Sequence, residues 1–127
     1  MARNPFAGYW KITHMDVWNL DYVDMLVPGF LEFKSDSTGT FQFGTVAGDL
    51  DTRIRKVGDA SYIEWSWEGQ NDNDPGCGRG WAMLVDDELA GHIFIHRADD
   101  SPFTAKRQAP PQGRTWAPRR KRVRSIP

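Results

Sequence analysis

Strand signals and turn signals alternate along this chain, with a turn about every ten residues. Strands rich in β-branched and aromatic residues are predicted near 8–17, 29–35, 38–46, 49–56, 61–68, 79–86, 88–97 and 102–107. The breaks between them carry Gly, Asp, Ser and Pro, which are residues of tight turns. Eight short strands joined by hairpins suit a small closed barrel. The sequence therefore predicts an all-β fold, a single small antiparallel eight-stranded up-and-down barrel.

One segment departs from this alternation. Between Asn19 and Val27, apolar residues are mixed with Asp21 and Asp24, and the segment ends at Pro28-Gly29. Asn is a common N-cap, and Pro followed by Gly ends a helix. The pattern predicts a short helix between the first two strands.

The charges divide the chain into two parts. Residues 1–105 hold all 17 acidic side chains and 8 basic ones, a formal charge of −9, whereas residues 106–127 hold 8 basic residues and no acid. We predict a barrel domain over 1–107 and a basic, Pro-containing tail over 108–127, either flexible or docked on the barrel. Nucleic-acid binding by the tail is disfavoured, because the acidic body would repel a polyanion.

Targeting signals are not visible in the sequence. No run approaches the roughly 18 apolar residues of a membrane span, and no apolar stretch follows Arg3 as in a secretory signal. Cys77 is the single cysteine, which excludes an internal disulfide. These features predict a cytoplasmic protein with no membrane span.

The first and last predicted strands carry a recognisable pair of motifs. Gly8-Tyr9-Trp10 opens the first strand and Lys106-Arg107 closes the last. This pairing resembles the calycin superfamily (lipocalins, fatty-acid-binding proteins and avidins), where a Gly-x-Trp meets a basic side chain across one end of the barrel. The resemblance implies a calycin-like barrel in which Gly8, Trp10 and Arg107 close one end and the interior forms a cavity. An arginine on an indole face gains cation–π attraction.

A second resemblance covers most of the predicted domain. Gly78-Arg-Gly-Trp81, the run from Gly91 to Ser101 and Phe103-Thr-Ala-Lys-Arg107 are similar to segments of a set of short bacterial proteins. This likeness implies a bacterial cytoplasmic origin. It transfers no activity to any residue, and the tail lies outside it.

Alternation along the strands predicts which side chains line the interior. Trp65 and Trp67 lie on the apolar face of the fifth strand. In the sixth strand, Trp81, Met83 and Val85 share one face, and Met83 is assigned inward. If Trp10 faces inward, His14 follows it. The candidate wall residues for a ligand cavity are Trp10, Ile12, His14, Phe41, Phe43, Trp65, Trp67 and Met83.

The stretch 68–80 is predicted to be the longest loop, at the barrel rim. Its Gly76-x-Gly78-x-Gly80 repeat suggests a phosphate cradle, but a strand follows instead of the helix that such a cradle needs. Its Asp72-x-Asp74 start lacks the later ligands of a calcium loop. Arg79 is predicted either to form an ion pair at the rim or to bind an anionic ligand group at the mouth.

The histidines are the only candidates for a metal or catalytic centre that need weighing. His92 and His96 are four positions apart on a strand, which separates them by about 13 Å and excludes a shared metal. His14 with either of them stays open across the barrel, but histidines on strand faces are usually surface residues or satisfied by hydrogen bonds. No nucleophile elbow, zinc-protease motif or phosphate loop is present. We therefore predict no metal, no cofactor and no catalytic residue, with a small enzyme only as a third hypothesis.

Two functional hypotheses follow from the predicted barrel. The first is a small binding protein that holds an apolar or aromatic small molecule in its interior. The alternative is a protein-interaction module that uses the barrel surface or the basic tail, with a protein partner or self-association and no internal ligand. Both stay open because an eight-stranded interior is just wide enough for side chains or for one small ligand.

Overall fold

The computed structural model describes residues 4–111. Its elements are β1 (Gly8–Met15), α1 (Leu20–Val23), β2 (Phe30–Phe33), β3 (Thr38–Phe43), β4 (Val46–Val57), β5 (Ala60–Asn71), β6 (Asp74–Val85), β7 (Glu88–Ile95) and β8 (Asp100–Arg107). Each strand pairs antiparallel with the next, and β8 pairs with β1 to close the barrel. The predicted eight-stranded up-and-down barrel with one short helix is confirmed.

Two-residue turns make this simple connectivity possible. Asp86 and Asp87 join β6 to β7 with φ angles of 54° and 67°, and Gly58 begins the turn from β4 to β5 with a φ of 60°. Positive φ at these positions matches the right-handed twist of the flanking strands. At these two turns the strand therefore folds back directly beside its neighbour.

The prediction of a loop over 68–80 is wrong. β5 continues to Asn71 and β6 begins at Asp74, with Gly69 paired to Gly76 along the way. The residues between Glu68 and Gly80 are mostly Gly, Asn and Asp, which have low strand propensity, so the sequence predicts a loop there. Hydrogen bonding between the two arms of the hairpin outweighs that local preference.

The helix begins as predicted and ends early. The Asn19 side chain accepts a hydrogen bond from the Tyr22 backbone N–H at 3.1 Å, which confirms Asn19 as the N-cap. After one turn, the Asp24 carboxylate accepts hydrogen bonds from the Gly29 N–H at 2.8 Å and the Lys11 ammonium at 2.9 Å. These bonds hold the chain in a return path toward β2. The side chain of Val23 is fully buried.

Tryptophans on β5 pack directly on glycines of β6. Trp65 pairs with Gly80, and Trp67 pairs with Gly78. A Cβ at Gly78 would lie 2.6 Å from Trp67 Nε1, and one at Gly80 would overlap the Trp65 ring. The Trp67 indole N–H also donates to the Phe94 carbonyl at 3.1 Å. The glycine repeat therefore makes room for two indoles, and it forms no phosphate cradle.

The N-terminal turn covers one end of the barrel. The Arg107 guanidinium lies 4.3 Å from the Trp10 ring centroid and donates to two backbone carbonyls of that turn, at 2.5 and 2.8 Å. Trp10 Nε1 donates to the Phe6 carbonyl at 2.8 Å, and the Phe6 side chain is fully buried. At Gly8, φ is 134° and a Cβ would lie 2.6 Å from the arginine. These contacts join the first strand to the last.

The described part of the chain contains a single short helix. Within 4–111, no helix is long and apolar enough to cross a membrane. The predicted basic tail lies outside the described residues, apart from its first four positions.

Candidate functional site

Six of the eight predicted wall residues face the barrel interior. They are Trp10, Ile12, Phe41, Phe43, Trp65 and Trp67, and none is more than 5% exposed. Four of these residues have rings in contact with other core rings, with centroids 5.0 Å apart for Phe41 and Trp67, 5.9 Å for Phe41 and Phe43, and 5.4 Å for Phe33 and Trp65. A water-sized void beside these side chains would leave part of their surface accessible. Such low exposure indicates that side chains fill the space around them.

The predicted inward orientation of His14 and Met83 is wrong. A β-bulge between Ile12 and His14 shifts the alternation of β1, so Met15 is buried while the His14 side chain is 63% exposed. A bulge adds one residue to a strand and reverses the faces beyond it. In β6, Ala82 is fully buried, so Met83 lies on the outer face, where it is half-buried.

A group of aromatic side chains lies on the outside of the barrel. This outer aromatic patch consists of Tyr62, Trp81, His92 and Phe94. Trp81 pairs across the strands with His92, and its ring centroid is 6.1 Å from that of Tyr62. The His92 and Phe94 rings stack with centroids 4.5 Å apart. The solvent face of an antiparallel sheet is usually polar, so this cluster, with Trp81 37% exposed, is a candidate binding surface.

Beside the patch is a concave site, here called the outer depression, with a volume of about 550 Å³. It is lined by Asp51, Arg53, Glu64, Trp65, Ser66, Arg79, Gly80, Trp81 and Phe94. Ser66 lies in register between Asp51 and Arg79, and its small side chain leaves a hollow among larger neighbours. The volume falls within the range of pockets that hold a small ligand or a partner's side chains.

Most charges around the depression are already paired. Arg53 contacts Asp51 at 2.5 Å, and Arg55 on the same strand contacts Glu64 at 3.1 Å. The Arg79 guanidinium instead lies 5.6 Å from the Phe94 ring centroid. Among residues 4–111, no carboxylate lies within ion-pair distance of Arg79, so the predicted rim ion pair does not form there. Arg79 is thus a cation at the depression that can accept an anionic group.

The remaining histidine contacts are simple pairs. His92 Nε2 lies 2.5 Å from an Asp100 oxygen, and His14 Nε2 lies 2.9 Å from an Asp16 oxygen. Within the described part of the chain, no three His, Cys, Asp or Glu residues are grouped closely enough to hold a metal ion.

The sequence interpretation missed the outer depression because it assigned Met83 of β6 to the interior, and Trp81 shares its face. A signal for the correct assignment is present. Trp65 and Trp67 alternate with the same period as Gly78 and Gly80, and placing indoles against glycines fixes the inner face of β6. Trp81 must then point outward.

Comparisons with known proteins leave this geometry as the basis for function. No protein-family model matches the chain, and no curated protein or solved structure matches it significantly. The fold, the packed interior and the outer depression therefore carry the functional argument.

Proposed function

We propose that this protein is a binding module for another protein, which it holds on the outer aromatic patch and in the outer depression. The observation that carries the proposal is the outward-facing Trp81, set among other rings and next to Arg79 on the surface of a closed barrel. Trp, Tyr, Met and Arg are enriched at the centres of protein interfaces and often dominate their binding energy.

The charge balance favours a protein partner over a nucleic acid. The rows of outward-facing residues around the depression contain three arginines and three carboxylates, namely Arg53, Arg55, Arg79, Asp51, Glu64 and Asp100. The surrounding part of the chain, residues 1–105, has a formal charge of −9. A phosphate backbone needs clustered positive charge, whereas a protein interface tolerates a mosaic of both signs.

The depression indicates what the partner presents. Its lining includes the aromatic residues Trp81 and Phe94, and its available cation is Arg79. An apolar or aromatic side chain would fill the hollow above Ser66, and a neighbouring carboxylate would contact the guanidinium. We therefore propose a partner segment that carries an apolar residue close to an acidic one.

A small-molecule ligand in the barrel interior remains a prediction from the sequence, and it can be tested separately. Such a ligand would have to separate rings that are in contact, as Phe41 and Trp67 are. Native mass spectrometry of gently purified protein would show a reproducible extra mass, released on denaturation, if the interior holds a small molecule. An unloaded mass favours the surface site.

Photo-crosslinking tests the surface site directly. With Glu68, an exposed residue two positions from Ser66 on the outer face of β5, replaced by benzoylphenylalanine, we expect a specific crosslinked protein in cell extract, and excess unlabelled wild-type protein should compete for it. Trp81→Ala and Arg79→Ala should lose that competition by about tenfold or more, because each removes a central contact. The matched control is Leu26→Ala, since Leu26 is 61% exposed and lies outside the depression. Equal competition by all variants, or no specific product, would contradict the proposal.

We further propose that the barrel is calycin-like and that the protein works in a bacterial cytoplasm. The contact of Arg107 with Trp10, next to Gly8 at the start of β1, supports the first part. The second part depends on the sequence resemblances alone.

A further inference from the structure

We propose a second interaction surface, the β4 edge, defined as Arg53–Val57. There the protein binds an extended acidic segment of a partner as an added β-strand. This inference depends on backbone pairing and on a local cluster of charge. The β4 edge shares Arg53 with the outer depression and includes none of the rings of the outer aromatic patch.

The two sides of β4 are covered to different extents. On one side, β5 pairs with β4 along its whole length, as far as Val57 with Ala60. On the other side, the pairing with β3 ends at Asp51 with Thr38, and the last backbone bond runs from the Thr52 N–H to the Ser37 carbonyl at 3.0 Å. Within residues 4–111, no strand pairs with the β3 side of Arg53–Val57.

The free backbone groups of the β4 edge follow from the register. A two-residue turn makes Val57 and Ala60 a hydrogen-bonded pair, so Arg55 and Arg53 also bond to β5. The intervening residues, Ile54 and Lys56, then direct their N–H and C=O groups away from β5. Thr52 lies two positions before Ile54, so its backbone groups point to the same side of β4. Its N–H does bond on the β3 side, which supports this assignment. An exposed row of such groups is a template for another strand.

The side chains of the β4 edge select for acidic residues. Arg53, Arg55 and Lys56 are three of the eight basic residues in 1–105 and lie within four positions of each other, with Asp51 and Glu64 as the acids that contact the two arginines. Arg53 and Arg55 have exposed ion partners, with arginine side chains 69% and 60% exposed. Such pairs are weak and exchange readily with other carboxylates.

Apolar contacts add to the charge. Ile54 is 45% exposed and Val57 is 52% exposed. An added strand that alternates acidic and apolar residues would place its acids beside the two arginines and an apolar residue beside Ile54, because cross-strand neighbours on one face interact.

Charge also excludes two other occupants. A symmetric dimer through the β4 edge would place Arg and Lys opposite Arg and Lys, and like charges in this position are destabilising. The chain's own residues 108–127 contain basic side chains and no acid, so they are repelled in the same way. The occupant is therefore an acidic segment of another protein.

Hydrogen exchange tests the open edge itself. We expect the amides of Ile54 and Lys56 to exchange rapidly and those of Arg53 and Arg55 to be protected, because only the second pair bonds to β5. Equal protection at all four amides would overturn the proposal.

Binding is tested by NMR with a short blocked peptide in which Glu alternates with Val. We expect shifts at 53–57 and slower exchange at Ile54 and Lys56, with no effect from a Lys-Val peptide. Methylating the peptide nitrogens that face β4 should weaken binding about tenfold, equivalent to about 1.4 kcal/mol. Methylating the peptide nitrogens that point away from β4 should leave the affinity unchanged. No binding, or no difference between the two methylated peptides, would mean that the charges only guard the edge and would overturn the proposal.

Protein variants provide the matching test. Ile54→Pro removes an outward N–H at a position where an edge strand tolerates proline, and it should weaken peptide binding about tenfold. Ile54→Thr keeps the N–H and is the control for folding and side-chain loss. If Ile54→Pro fails to fold, Arg55→Glu should weaken binding instead, because Arg55 lies on the face that receives the acidic residues, and undiminished binding in either folded variant would overturn the proposal. Trp81→Ala should bind the peptide normally, which separates failure of this surface from failure of the outer depression.

Discussion

Two glycines on β6 determine how the tryptophans of β5 pack. Gly78 lies opposite Trp67, and a Cβ at this position would clash with the Phe94 carbonyl oxygen on the next strand. A methyl group at this position would meet backbone on one side and an indole on the other. Neither group can rotate away, so the packing depends on the absence of a side chain.

We expect Gly78→Ala to lower the free energy of unfolding by about 1–3 kcal/mol, the usual cost of overpacking. Gly76→Ala is the matched control, because its Cβ would lie 3.4 Å from the Trp67 ring, an ordinary contact. It should be neutral or slightly stabilising, by up to about 1 kcal/mol. Urea denaturation of the two variants measures the difference, and similar stabilities would refute this account.

At the scale of elements, the turn from β2 to β3 contains a carboxylate held by its neighbours. The Thr38 hydroxyl donates to Asp36 Oδ1 at 2.5 Å, and the Thr38 backbone N–H donates to the same oxygen at 3.2 Å. These hydrogen bonds, the hydroxyl first, lower the pKa of Asp36 below its ordinary value. The charged form thus favours the folded turn.

We expect Thr38→Val to raise the pKa of Asp36 toward its ordinary value, since the hydroxyl is the larger cause of the shift. Because the folded pKa is lowered, the turn gains stability above the unfolded pKa and loses it as the pH falls through the folded one. NMR titration of the Asp36 carboxyl measures the change. Thr45→Val, at a distant turn, is the control, and identical titrations in both variants would contradict the assignment.

The elements also show what the sequence could predict. Alternation and turn residues identify eight strands, because hairpin chemistry is local and Asp86, Asp87 and Gly58 encode it directly. The extension of β5 and β6 to Asn71 and Asp74 depends on pairing between two arms with weak individual propensity. The sequence contains no local signal for that pairing.

The candidate site was less predictable than the fold. A single bulge in β1 turns His14 outward, and nothing in the residues around it marks the bulge. In β6 both faces are apolar, so alternation alone cannot say that Trp81 points outward. That assignment requires knowing that Gly80 lies opposite Trp65, which is a fact about two strands together.

At the scale of the whole molecule, the interior depends on large rings that fill it. We expect Trp67→Ala to lower the free energy of unfolding by about 3–5 kcal/mol, a large share of the roughly 5–15 kcal/mol of a typical domain. The reason is that Trp67 is 1% exposed and packs on Phe41. Thermal and chemical denaturation measure the loss.

The surface variant Trp81→Ala is the control for removing an indole, because Trp81 is 37% exposed. Trp81→Ala should lower the free energy of unfolding much less than Trp67→Ala does. A Trp67→Ala protein that keeps its stability would instead indicate an interior with room to spare, as the internal-ligand hypothesis requires.

The contact that closes the barrel can form only late in the synthesis of the chain. Arg107 donates to the carbonyl of Ala7, 100 positions earlier, and the same guanidinium covers Trp10. A ribosome adds roughly 5–20 residues per second, so the first strand waits for several seconds before the last is synthesised. During that interval the nascent sheet has two open edges and the indole has no cation above it. A nascent chain that stalls before Arg107 is translated would therefore remain an open sheet, and it would be a natural substrate for a chaperone.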